Sequence, residues 1–307
     1  MSEALLSITD LSVEFKSELG EVRALDGISF QLPGNCITAI VGESGSGKSV
    51  TANIIMRLLP VSARASGSVL LRPSGGPTID ILSLKQRDPL LRRLRGGLVS
   101  MVFQEPMTAL SPVHRVGDQV AEAVLCHRAV SYQAALQEAK DMLEKVGISD
   151  AVRKMQMYPF EFSGGMRQRV VIAMALICHP QLLLCDEPTT ALDVTTQAEI
   201  LVLIKSLQRR LRNAVLFVTH DLGVVAQIAD RIIVMYQGRV METGSVREVL
   251  KTPQHAYTKH LLASQPGSSG AVDIKLRGAD WLENAPIGQD SWLAGPSGGH
   301  QVREFLL

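Results

Sequence analysis

Along most of this chain, continuous apolar runs alternate with stretches of helical periodicity. "CITAIV" (36–41), apolar and partly β-branched, and the apolar runs of "QLLLCDEP" (181–188) and "AVLFVTHD" (214–221) have the pattern of strands buried in a parallel sheet. Helical spacing fills "KSVTANIIMRLL" until Pro60 stops it, and returns in "TTQAEILVLIKSLQRRL" (195–211). "LLSITDLSVEF" and "ISFQL" predict strands flanking a turn-rich segment around Leu19 to Glu21, an antiparallel start to the domain. "GSVLL" and "GLVSMVF" predict further strands, and the basic "LRRLR" (91–95) between them a solvated helix face. From Gln104 to Phe162 the strand signal fades, and "AALQEAKDMLEKVGI" reads as a helix stopped near Gly147. "RIIVMYQGRVMETG" (231–244) predicts a hairpin. The expected fold is α/β, with a mainly parallel sheet, an antiparallel N-terminal β part and an inserted α-helical subdomain at about 104–165, all within a domain spanning 1–265. Beyond it the composition shifts to Gly, Ser, Pro and Gln, so 266–307 is expected to be a flexible or loosely docked extension.

The chemistry begins at "GESGSGKS" (42–49), where three glycines precede one lysine. A strand, a glycine turn and a helix start together make an anion seat, because free N–H groups and the positive end of the helix dipole point into the loop. Gly42, Gly47, Lys48 and Ser49 fit G-x-x-x-x-G-K-[ST], a phosphate loop. Glu43, Ser44, Gly45 and Ser46 complete its wall, Lys48 would reach the β- and γ-phosphates of the bound phosphate chain, and the Ser49 hydroxyl would help hold Mg²⁺. Asp186 and Glu187 end an apolar strand at the edge where parallel sheets bind ligands. Asp186 suits the metal, directly or through water, and Glu187 the attacking water, as general base or orienting group. Gln104 follows a predicted strand and its amide would reach Mg²⁺ or water. His220 ends the next strand and is either structural or a γ-phosphate partner. Ser163, Gly164 and Gly165 in "FSGGMRQR" open a helix, so they are either a plain cap or a second anion seat reaching a nucleotide held by a partner.

The formal net charge of +1 over 307 residues gives no electrostatic reason to expect a nucleic-acid partner. Cys36, Cys126, Cys178 and Cys185 are widely spaced, at least three of them in apolar runs, so buried thiols in a reducing compartment are expected. The N-terminus lacks a basic region leading into an apolar core, and the longest apolar run, "VVIAMALIC", is too short to cross a bilayer. Work at a membrane would then require docking on another subunit.

In order, "GESGSGKS", "VFQEP", "FSGGMRQR", "LLLCDEP", "TALD" and "VTHD" resemble the Walker A, Q-loop, signature, Walker B, D-loop and H-loop of the nucleotide-binding subunits of ABC transporters, over roughly residues 5 to 264. "DEPTTALDVTTQAEIL" and "TPQHAYTKHLLAS" narrow the resemblance to the ATPase subunits of oligopeptide, dipeptide and nickel importers. The resemblance implies a P-loop NTPase of ABC type, working as a dimer with an identical or related ATPase subunit on two transmembrane permease subunits, and indirectly with a solute-binding protein, at the cytoplasmic face of the membrane. It implies that Phe15 stacks on adenine, unless it is simply a strand residue facing the core. Met166 stands where many signatures have glutamine, as is common in this branch. No cysteine follows Cys185, whereas many peptide-importer members carry a cysteine cluster in the C-terminal extension. An ABC ATPase of a nucleic-acid, ribosome or phosphonate-metabolism complex is the alternative, against which stand the single cassette and the lack of a heptad insertion.

Overall fold

The computed structural model describes residues 4–17, 20–104, 109–190, 192–264, 291–294 and 299–304. Residues 105 and 106 of "VFQEP", Ala191 of "TALD", Gln265, and 266–290, 295–298 and 305–307 of the expected tail lie outside them. Strands β1 (Leu6–Ser17), β2 (Gly20–Leu32), β4 (Ala63–Leu71) and β5 (Ile79–Asp80) form an antiparallel sheet in the order β2-β1-β4-β5. The second sheet is built on β3 (Ile37–Val41), β6 (Val99–Val102), β7 (Leu182–Asp186), β8 (Ala214–Val218) and β9 (Arg231–Tyr236), which run parallel in the order β9-β3-β8-β7-β6. Every residue of β3, β7 and β8 is buried, which is why their sequences are continuous apolar runs with no polar alternation. β9 turns through Gln237 and Gly238, both at positive φ, into antiparallel β10 (Arg239–Ser245), the predicted hairpin.

The pleat divides the core. On β7, Leu183 and Cys185 face one side, against a cluster that includes Val120, Leu143, Ile172 and Ile204. Leu182 and Leu184 face the other, with Ile54 and the apolar face of the antiparallel sheet. The first cluster is the underside of the helical part: α3 (Val116–Leu125), α4 (Tyr132–Lys145), α5 (Ala151–Lys154), α6 (Gly164–Leu176) and α7 (Val194–Leu211). Ser131 caps α4 through Ala134 N–H, and Gly147 at φ 82 lies just past its end, as the periodicity predicts. A third cluster joins β9 and β10 to α8 (Leu222–Ile228), α9 (Val246–Lys251) and α10 (Ala256–Ala263).

Three expectations change. The basic stretch forms α2 (Pro89–Leu94) with Arg92 and Arg93 outward, but Arg95 turns in, donating to Met56 O at 2.9 Å and Arg57 O at 2.7 Å. Those carbonyls end α1 (Lys48–Ile55), where a guanidinium satisfies acceptors the helix cannot. Of the cysteines only Cys185 is buried; Cys36 and Cys178 are half-buried, and Cys126 is exposed because it stands at the C-cap of α3, past the apolar face. The described tail segments are strands: β11 (Ser291–Ala294) pairs with β12 (Gln301–Glu304), and β12 pairs with β10, extending the parallel sheet to eight strands.

His300 anchors this addition. Its Nε2 lies 2.6 Å from Glu242 Oε1, both side chains essentially unexposed. The Glu242 carboxylate also accepts Gln254 N–H at 2.9 Å and His255 N–H at 3.1 Å, so the buried acceptor is satisfied. Burial pushes His255 down to about 4; Glu242 opposes the shift, and Arg303 and Lys259 add to it. The imidazole is therefore neutral in the folded protein, whereas in the unfolded chain it gains a proton below its ordinary value. Stability should be full above pH 6.5, the ordinary histidine value, and fall as pH drops from there to about 4, by on the order of 3 kcal/mol. Denaturant midpoints between pH 7 and 4.5 should show this slope, and His255→Gln should flatten it; an equal slope in both proteins would discount His255.

Candidate functional site

β3 delivers the chain into the phosphate loop at the C-terminal edge of the parallel sheet. Gly47, at φ 97, is the N-cap of α1, and a Cβ there would meet Leu25 Cδ2 at 2.6 Å and Ala24 O at 2.7 Å. Gly45 has open space around it and is glycine for its φ of 81. The loop is braced from behind, where Gly238 N–H of the β9–β10 turn donates to Ser46 O at 3.1 Å and Ser46 N–H donates to Glu43 O at 3.2 Å. α1 has neither a side-chain cap nor an acid in its first turn, so its leading N–H groups and dipole are left for an anion.

Lys48 is 5% exposed, and its Nζ donates to Gly42 O at 2.8 Å and Glu43 O at 2.7 Å. Burial holds its pKa below the ordinary lysine value, opposed by the carboxylates of Glu187, Asp186 and Glu43. Ser49 Oγ donates to Asp186 Oδ1 at 2.9 Å, joining the two residues expected to share a metal. Burial raises the Asp186 carboxyl above its usual range and neighbouring Glu187 adds to it, while the Ser49 bond and Lys48 pull it back.

Glu187 follows β7 at φ 46, a left-handed turn that an N–H···O bond to Val218 O at 3.0 Å holds against β8. Its carboxylate gathers three side chains. Oε2 accepts from Gln104 Nε2 at 3.1 Å and from Thr190 Oγ1 at 3.0 Å, and Oε1 lies 3.1 Å from His220 Nδ1. Gln104 and His220, weak signals in the sequence, are thus brought together by the adjacency of β6, β7 and β8. Thr190 joins them without a motif of its own, its one signal in the sequence being its place in the run after Glu187. A cavity of about 430 Å³ is lined by Ser44, Gly45, Gly47, Lys48 and Ser49 on one side and by Gln104, Glu187 and His220 on the other, with Ala24 and Val50.

Phe15 and the signature residues do not line it. Phe15, on β1 opposite Val22 and Ala63, is half-buried against the core. Ser163 caps α6 through Met166 N–H at 3.3 Å. A Cβ on Gly165 would meet Thr196 Cγ2 at 2.5 Å, whereas one on Gly164 would make only an ordinary contact with Leu192 at 3.8 Å. No helix among the described residues is long and apolar enough to cross a membrane.

A family profile described as ABC transporter matches residues 25–190, more than half of the chain. The chain is 49% identical over 279 residues, 90% of its length and 82% of the other's, to a Brucella melitensis protein described as a candidate peptide import ATP-binding protein. It is 50% identical over 267 residues, 86% of its length, to the glutathione import ATP-binding protein GsiA of Salmonella typhimurium, of which it spans 42%. Among solved structures it is similar to the dimeric post-hydrolysis state of the ATP-binding cassette MJ0796 bound to ADP and Pi, with a TM-score of 0.68 at 28% identity, over 79% of this chain and 99% of that one. Phosphate loop, acidic strand end and inserted helices stand in one cassette, and the chain belongs to the ABC transporter family as an ATPase.

Proposed function

We propose that this chain energises import of small peptides across a membrane, as one of two ATPase subunits docked on the cytoplasmic face of a permease pair supplied by a solute-binding protein. The observation that carries the hydrolytic part is the Glu187 carboxylate, held by Gln104, Thr190 and His220 across a cavity from Lys48. The names of the relatives support the peptide cargo.

In this reading Lys48 turns its ammonium to the β- and γ-phosphate oxygens, with the loop N–H groups around it. Ser49 Oγ and Asp186 Oδ1, 2.9 Å apart, are a pair of hard oxygens of the kind Mg²⁺ prefers, and these two residues would hold it. When bound, the metal ion neutralises charge on the phosphate chain. Glu187 orients a water in line with the γ-phosphorus and accepts its proton; as the water oxygen bonds to phosphorus, the β–γ bridge breaks and ADP leaves with that electron pair. His220 holds Glu187 and the γ-phosphate side of the cavity, and Gln104 reports the state of the site to the helical part and the permease. Phe15 stacks on adenine. Ser163, Gly164 and Gly165, outside their own chain's cavity, grip the nucleotide held by the partner ATPase, so that ATP closes the pair and hydrolysis releases it.

The test is deletion of the gene in its host, followed by uptake of labelled di- and tripeptides, glutathione and nickel. Peptide uptake should fall to background and return with the wild-type chain but not with Glu187→Gln. Loss of nickel uptake alone would replace the cargo, and unchanged uptake of every solute would overturn the importer reading.

A further inference from the structure

The phosphate loop is tied to the C-terminal helix α10 by a hydrogen bond that none of its motifs requires. Tyr257, second residue of α10, is 3% exposed, with its ring centroid 4.4 Å from that of Tyr236 on β9. Its hydroxyl accepts the Glu43 N–H at 3.3 Å, and the carbonyl of Glu43 accepts from Lys48 Nζ at 2.7 Å. One loop residue is therefore held on its N–H by Tyr257 and on its C=O by the lysine.

The place of Tyr257 is itself set. His255 Nδ1 accepts Tyr257 N–H at 3.0 Å and caps α10. Glu242 accepts the N–H groups of Gln254 and His255, which fixes the entry to the helix, and its third partner is His300, just before β12. A buried carboxylate with three donors is held hard, because losing any one exposes its desolvation cost. A phenylalanine at 257 would make the same apolar contacts, so the hydroxyl is accounted for by the loop alone.

We propose that Tyr257 is a positioning residue of the phosphate loop, and that the C-terminal segment around His300 sets its position through Glu242 and His255. This rests on the reading of Lys48 as a phosphate ligand. A described part of the tail, expected to be loose, is then a determinant of nucleotide affinity.

Equilibrium binding of MgATP to the full chain, read together with the denaturant unfolding midpoint, tests it. Tyr257→Phe should weaken ATP binding by roughly two- to tenfold, the worth of one hydrogen bond, and lower the unfolding midpoint by no more than the loss of that bond does. His300→Ala should weaken it in the same direction, His300→Gln, which keeps a donor toward Glu242, should restore it, and His300→Ala should add nothing in the Tyr257→Phe background. Wild-type affinity in Tyr257→Phe would overturn the proposal, as would additive effects in the double variant. Lys48→Ala separates the two readings: if it too binds ATP normally, the phosphate-loop reading fails, and if it binds poorly while Tyr257→Phe binds normally, only the present inference falls.

Discussion

Glu187→Gln is expected to bind ATP and keep it, with turnover reduced by roughly a hundredfold to ten-thousandfold, the usual worth of a positioned proton acceptor. The substitution is nearly isosteric. The amide oxygen can still accept from Gln104 and Thr190, which both address the same carboxylate oxygen, and the amide nitrogen takes the position that faces His220 Nδ1. The left-handed turn at φ 46 and its bond to Val218 O involve only backbone. What is lost is the ability to accept the proton of the attacking water. If Ser163 to Gly165 grip the nucleotide of a partner, the unhydrolysed ATP should lock two subunits together, as a homodimer or with a related chain. Ser163→Arg in the facing subunit should abolish that dimer by placing bulk and charge at the start of α6. Sedimentation with and without MgATP reads both effects. A Glu187→Gln protein that binds ATP but stays monomeric beside every related ATPase subunit would refute the composite site, and one that hydrolyses ATP at the wild-type rate would refute the role of Glu187.

Lys48→Ala should abolish hydrolysis in the assembled transporter and weaken ATP binding by roughly ten- to a hundredfold, the worth of a charge-assisted hydrogen bond or two. The residue is 5% exposed, and the carboxylates of Glu187, Asp186 and Glu43 all favour its charged form. Its removal also takes away a charge that lowers the Asp186 pKa, so Asp186, already raised by burial, should rise further. Residual binding should therefore weaken as pH falls through the raised value, because a protonated Asp186 is a poor metal ligand. Stability should change little, since burial already opposes the charged form of Lys48. Titration calorimetry with MgATP across pH, beside a melting curve, separates affinity from folding. Near-normal turnover would remove Lys48 from the site.

Those two experiments address residues that were legible in the chain. The spacing of Gly42, Gly47, Lys48 and Ser49 is dictated by backbone sterics and the reach of one side chain, all within eight consecutive residues, so local sequence suffices to specify it. The same holds for β3, β7 and β8, whose burial on both faces leaves an unbroken apolar signature, and for the stops at Pro60 and Gly147. Gln104 and His220 were weak signals singly, because their partner lies 83 and 33 residues away on neighbouring strands. Their value came from the fixed order of the motifs around them.

The sequence by itself determined the α/β alternation, the anion seat and the acidic strand end, because each depends on contacts within a single element or on one strand's burial. Only the tertiary structure decided which long-range partners meet. It turned Arg95 inward onto the end of α1, left Cys126 exposed at a helix end, and gathered Gln104, Thr190 and His220 on one carboxylate. It also closed Tyr257 onto Glu43 across 214 residues and His300 onto Glu242 across 58. The Gly- and Ser-rich composition around β11 and β12 carries no strand signal of its own. Their order comes from the open edge of β10 and from a buried carboxylate that needs a third donor, and neither can be seen until the sheet is built.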